Sequence, residues 1–174
     1  SPDPDSLCFV TGNAPGNAAI DAGDIDGGRT TLTSPAYNTL NMSIPTIGVW
    51  VWFYSQFRAE DDWLEVQISG DNGANWVPVE TLRGIHNHWE ELAIPVSNYV
   101  TPSSQVRVRF VAADLGAGSV VEAAIDDISI YDAATGSLGI PGENDRALEF
   151  RARWPNPSTD GVHLSLGLPG RGAV

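Results

Sequence analysis

The chain alternates between short apolar or in-out patterned runs and clusters of Gly, Pro, Asn and Asp, and helical periodicity is hard to find in it. Thr30–Thr33 (TTLT) reads as a short strand stopped by Ser34-Pro35. The run 47–57 (IGVWVWFYSQF) is long, aromatic and apolar on both parities, which predicts a central strand covered on both sides. In Trp63–Ser69 (WLEVQIS), Leu64, Val66 and Ile68 face one side, while Glu65, Gln67 and Ser69 face the other. Val106, Val108 and Phe110 alternate with Arg107, Arg109 and Val111 in the same way. Trp76–Leu82, Trp89–Val96, Gln105–Ala112 and Val120–Tyr131 supply the remaining strands. About eight strands at spacings of roughly 10–15 residues predict an all-β, two-sheet antiparallel β-sandwich with jelly-roll topology.

This sandwich is expected over 7–132. The small, Gly- and Pro-bearing stretch that follows (AATGSLGIPGEND) reads as a linker over 133–146, and 147–174 as the start of a truncated C-terminal β domain.

Composition narrows the classes of function. The 174 residues hold 22 acidic and 9 basic side chains, a formal charge of -13, with no lysine. Six Trp and 42% hydrophobic residues are not the signature of a disordered chain. The acidic excess opposes binding to phosphate backbones, so nucleic acid is not an expected partner. No apolar run of about 18 residues is present to span a membrane as a helix. Cys8 is the only cysteine, which excludes an intrachain disulfide and a cysteine-rich metal site. The acidic, Lys-free composition fits a secreted or surface-bound bacterial protein. Residues 1–6 (SPDPDS) have no signal-peptide pattern, and the chain stops just after a strand-like run, so a fragment of a longer precursor is expected.

Ser69–Trp76 (SGDNGANW) fits S-x-D-x-G-x-x-W and resembles the Asp-box, a self-contained hairpin turn. Its Asp accepts loop N–H groups, its Gly takes positive φ and its Trp packs under the turn. Ala124-Ile125-Asp126-Asp127-Ile128 resembles the closing strand of MAM-type jelly-roll domains. The run Asp114-x-Gly116-x-Gly118-Ser119-Val120-Val121-Glu122-Ala123 resembles MAM-like accessory domains of secreted bacterial metallopeptidases. Thr11–Ala14, followed by Asp24-Ile25-Asp26-Gly27-Gly28 and Thr30–Pro35, resembles the opening strand of the same domains. The likeness covers roughly 8–132, with its pieces in the expected order. In the tail, Trp154–Thr159 and then Val162–Pro169 resemble the first strands of a FlgD-like or sorting-type C-terminal domain, which implies export and a larger parent.

Four acids are candidate metal ligands. Asp24 and Asp26, with Asp21 nearby, lie in a Gly-rich loop able to turn several oxygens toward one Ca²⁺. First and last strands are neighbours in a jelly roll, so Asp126 and Asp127 are expected to close the same structural site. The spacing is not that of an EF-hand. The opposing reading makes these acids solvated turn residues and backbone caps.

Catalysis is not expected. His86-Asn87-His88 reads either as a zinc pair or as an exposed loop before Trp89. Glu60-Asp61-Asp62 and Glu90-Glu91 read as solvated turns rather than a glycosidase pair. Neither G-x-S-x-G nor H-E-x-x-H occurs.

Trp50, Trp52 and Tyr54 share one parity of the long strand, and Val49, Val51 and Phe53 the other. The aromatic set is either core or a platform for sugar rings, with Tyr37 and Tyr99 as loop candidates. The expected function is a non-catalytic, calcium-stabilised extracellular accessory module of a larger exported hydrolase. Its partners would be other domains of the parent and a glycan or protein surface. The alternatives are a carbohydrate-binding module using exposed Trp and Tyr, or a surface adhesion or filament subunit.

Overall fold

The computed structural model describes residues 7–12, 22–25, 27–56, 61–115, 119–135, 150–153 and 163–166. Eight strands form the sandwich: β1 (Phe9–Val10), β2 (Gly28–Thr33), β3 (Pro45–Ser55), β4 (Trp63–Ser69), β5 (Val77–Leu82), β6 (Ile85–Pro95), β7 (Arg107–Asp114) and β8 (Val121–Asp132). One sheet has the order β1-β8-β3-β6 and the other β2-β7-β4-β5, and every pairing is antiparallel. The pairs β1–β8, β2–β7, β3–β6 and β4–β5 are nested. The chain is therefore one long hairpin folded at β4–β5 and rolled up, which is the predicted jelly roll. Two further strands, β9 (Phe150–Arg153) and β10 (His163–Leu166), form an antiparallel hairpin of their own.

The alternation seen in the sequence becomes the core. Ile47, Val49, Val51 and Phe53 of β3 meet Leu64, Val66 and Ile68 of β4, and Val106, Val108 and Phe110 at and within β7, all essentially without exposure. At roughly 1.5–3 kcal/mol for each large apolar side chain buried, this layer is the main driving force for joining the sheets. Pro45 is tolerated because it opens β3, where a missing ladder donor costs least.

Several local expectations change. β3 is central, but only one face is fully covered: Trp50, Trp52 and Tyr54 on the other face are half-buried. His86 and His88 are within β6, not in a preceding loop. There one β3 residue (Trp52) spans three on β6 (Asn87, His88 and Trp89), a bulge that hid the strand's periodicity. Tyr37 is buried and bridged to Val106, so it is not a surface loop aromatic.

The turn at 69–76 takes the geometry its residues suggest. Ser69 Oγ accepts the N–H groups of Asp71 (3.2 Å) and Gly73 (2.9 Å), and the Asn75 N–H donates to Asp71 Oδ1 at 2.8 Å. Asn72 and Gly73 have φ of 62° and 91°, and the Trp76 ring lies 3.1 Å from where a Gly73 Cβ would stand. The hydrogen bonds from the Asn75 side chain and backbone, with Ser69 adding to them, hold the Asp71 carboxyl at about 2.

Candidate ligand-binding face

The outer face of the β1-β8-β3-β6 sheet is built row by row from its register, because directly opposed residues in antiparallel strands point to the same side. One row holds Asp126, Trp50 and Glu91. The next holds Val10, Ala124 and Trp52. The third holds Glu122, Tyr54 and Ile85. Trp52 and Tyr54, two residues apart on β3, lie with ring centroids 6.2 Å apart and planes only 16° from parallel. They form a stacked aromatic strip along the strand.

Beside the strip is a cleft of about 120 Å³ lined by Val10, Thr11, Gly12, Trp52, Glu122, Ala123 and Ala124. Ala124 makes its floor because the small side chain stands between Val10 and Trp52 in one row. Val10 at its edge is 41% exposed, and Ile85, in the row of Tyr54, is 63% exposed.

Farther along the same face, a β8 bulge sets two residues (Asp127 and Ile128) against Val49, and Asp127 takes a φ of 50°. The bulge resets the parity, so Ser129 and Tyr131 follow Asp126 onto the outer face while Ile130 turns into the core. Gly48 makes room for them. A Cβ there would stand 2.9 Å from Ser129 Oγ and 3.3 Å from Tyr131 Cε1. Burial, and then the negative charge of Glu91, push the Tyr131 phenol above its ordinary value.

Among the described residues, the expected calcium ligand Asp24 does not come together with Asp126 and Asp127. The Ile25 N–H donates to the Val121 carbonyl, which places the Asp24 loop at the start of β8. Asp126 is five residues farther along that strand, roughly 16 Å at about 3.3 Å per residue. Asp126 faces outward beside Trp50, and its Oδ1 accepts the Asp127 N–H. Asp21 and Asp26 lie outside the described residues. Among the described residues, no group of three or more His, Cys, Asp or Glu is placed to hold a metal.

The buried acids are others, and the sequence reading missed them. Asp62 is 0% and Asp114 4% exposed, and they adjoin the Trp63–Ala113 pair that ends the β4–β7 ladder, one step farther at the same end of the sandwich. Each has donors. Asp62 accepts the Ser55 hydroxyl (2.9 Å) and the Leu115 N–H (3.2 Å); Asp114 accepts the Gly27 N–H (3.0 Å) and the Ser119 hydroxyl (3.1 Å). The Ser55–Asp62 bond joins the two sheets. Glu90, also expected in a turn, is in β6 with Oε1 at 2.5 Å from His86 Nδ1 and 3.3 Å from His88 Nε2. His86 Nε2 faces the Arg83 carbonyl at 3.1 Å, so its ring ties the β5–β6 connection to Glu90 of β6.

No protein-family model and no curated protein matches the chain. Among solved structures it is similar to a carbohydrate-binding module of the CBM4 type, at 11% identity and a TM-score of 0.38, covering 71% of this chain and 93% of that one. It is similar also to the CBM22-1–GH10 modules of Clostridium thermocellum endo-1,4-β-D-xylanase 10B, complexed with xylohexaose. That match has 12% identity and a TM-score of 0.38, and covers 79% of this chain and 26% of that one. A third match is to infectious bursal disease virus, Gx strain, at 16% identity and a TM-score of 0.32, over 70% of this chain and 29% of that one. At these values the matches decide nothing beyond what the strand order already gives.

Proposed function

We propose that this jelly roll is a non-catalytic carbohydrate-binding module of an exported parent protein, and that the sugar lies on the outer face of the β1-β8-β3-β6 sheet. The observation that carries the reading is the near-parallel, stacked pair of Trp52 and Tyr54 on the sheet's outer face beside the Val10–Ala124 cleft. Pyranose rings present flat C–H faces that stack on aromatic rings, while carboxylates such as Glu122 accept sugar hydroxyls. The half-buried state of Trp50, Trp52 and Tyr54 suits this: each ring is partly held by packing and partly open to solvent.

The accessory role beside a hydrolase, the MAM-like relationship and the extracellular location belong to the same proposal. The sequence resemblances support them, and the acidic, Lys-free composition supports the location. Structural Ca²⁺ is retained for the 24–26 loop only, since Asp126 and Asp127 are too far along β8 to share that ion.

The test is affinity electrophoresis of the full chain through gels containing soluble polysaccharides, both plant-type and bacterial. Retardation in at least one gel that disappears in Trp52→Ala, with an unchanged circular dichroism spectrum, supports the proposal. Absence of retardation in every gel, or retardation indifferent to Trp52, overturns it.

A further inference from the structure

We infer that the saccharide suited to this face carries free amino groups, as in a polymer of 2-amino sugars with protonated amines; the inference rests on the glycan reading above. Charge is unevenly divided between the two sheets. Strands β1, β8, β3 and β6 contain Glu90, Glu91, Glu122, Asp126, Asp127 and Asp132 and not one Arg or Lys. Strands β2, β7, β4 and β5 contain Arg29, Arg107 and Arg109 beside Glu65, Glu80 and Asp114. On that second sheet, the Arg109 guanidinium lies 4.2 Å from the Trp76 ring centroid and Arg29 5.5 Å from that of Trp63. Its outer aromatics already have cations.

The aromatic strip of the first sheet has the opposite setting. Trp50 stands between Asp126 and Glu91 in its row, and Tyr54 stands beside Glu122. Opposed Cβ atoms are about 4.5–5.5 Å apart, so a group stacked on either ring lies within reach of a carboxylate. A face with three carboxylates among its rings accepts hydrogen bonds far more readily than it donates them. A neutral sugar hydroxyl both donates and accepts, whereas an ammonium only donates and supplies three donors. An ammonium also gains from the ring faces and from the negative field of the sheet. The same field disfavours uronic or sulfated polymers.

Isothermal titration of the full chain with short oligomers of glucosamine, N-acetylglucosamine and glucose separates the cases, in mildly acidic buffer at about 0.05 M and about 0.5 M salt. Glucosamine oligomers should bind about tenfold tighter than the other two at low salt. That margin should shrink at high salt and in Glu122→Gln/Asp126→Asn, an outer-face variant that leaves the core intact. Trp52→Ala should abolish binding of all three.

Equal or tighter binding of the N-acetylated or glucose oligomers overturns the amine preference and leaves the glycan reading standing. A margin unaffected by salt and by the Glu122/Asp126 variant also overturns it. Oligolysine bound as tightly as oligoglucosamine, with no dependence on Trp52, overturns both and marks the face as a site for basic peptide. No binding of any oligomer overturns the amine inference, while the polysaccharide gels judge the broader reading separately.

Discussion

Replacing Asp62 with alanine removes the acceptor for two donors at the junction of the sheets. Ser55 Oγ, on a residue only 2% exposed, loses its 2.9 Å bond, and the Leu115 N–H loses its 3.2 Å bond. A buried donor left unmade costs about 1–3 kcal/mol; Leu115 is half exposed, so water can replace part of its loss. In the other direction, removing one of two neighbouring carboxylates relieves a repulsion with Asp114 worth about 0.2–1 kcal/mol. The lost donors win, and the net destabilisation should be about 1.5–3 kcal/mol. For a domain of this size that corresponds to a fall in Tm of roughly 5–15 °C. Urea unfolding of wild type, Asp62→Ala, Ser55→Ala and the double variant gives the coupling directly. In the Ser55→Ala background, Asp62→Ala should cost about 1 kcal/mol less, because the orphaned hydroxyl has gone. A cost below about 0.5 kcal/mol for Asp62→Ala, or strictly additive variants, would show that this inter-sheet bond does not hold the sandwich end together.

Gly48→Val should destabilise by about 1–3 kcal/mol in urea, since even a Cβ crowds Ser129 and Tyr131, and Ser129→Ala should recover part of that loss. Asp71, held at about 2 by Asn75 and Ser69, and Asp132, lowered by the Ser43 and Ile44 N–H groups, both favour the fold as anions. Their contribution is complete above the ordinary carboxylate range; that of Asp71 is lost as pH falls toward about 2, and that of Asp132 is lost below the ordinary range. Acid melting curves should therefore flatten between about pH 4 and pH 2 in Asp71→Asn, and an unchanged slope would refute this. Excess EDTA should lower the Tm if the 24–26 loop holds Ca²⁺, with recovery on adding Ca²⁺; an unchanged midpoint removes calcium from the account.

The roll was legible because its strands obey a strict in-out code. Val108 and Phe110, or Leu64, Val66 and Ile68, declare their core face without help from tertiary structure. Extending those same parities by one step reaches Asp62 before Leu64 and Asp114 after Ala112, so the buried acid pair was present in the pattern. It is masked because Asp62 closes a Glu-Asp-Asp run that reads as a solvated turn, and Asp114 opens a Gly-rich stretch. Asp126 was misplaced for a different reason. The bulge at Asp127 resets the alternation, and Asp is one of the few non-Gly residues that tolerates positive φ, so nothing local announces it. That Trp50, Trp52 and Tyr54 lie half-buried on the outer face was not decidable from one strand. It depended on Val10, Ala124 and Glu122, which come from distant parts of the chain and reach this face only through the nested pairing.

The measurement that tests the central claim most directly is retardation of wild type and Trp52→Ala in polysaccharide affinity gels, run beside Trp63→Ala on the opposite sheet. The account predicts that wild type and Trp63→Ala are retarded alike by at least one polysaccharide while Trp52→Ala migrates as in an empty gel. Retardation lost in Trp63→Ala and kept in Trp52→Ala would put the ligand on the other sheet and contradict it.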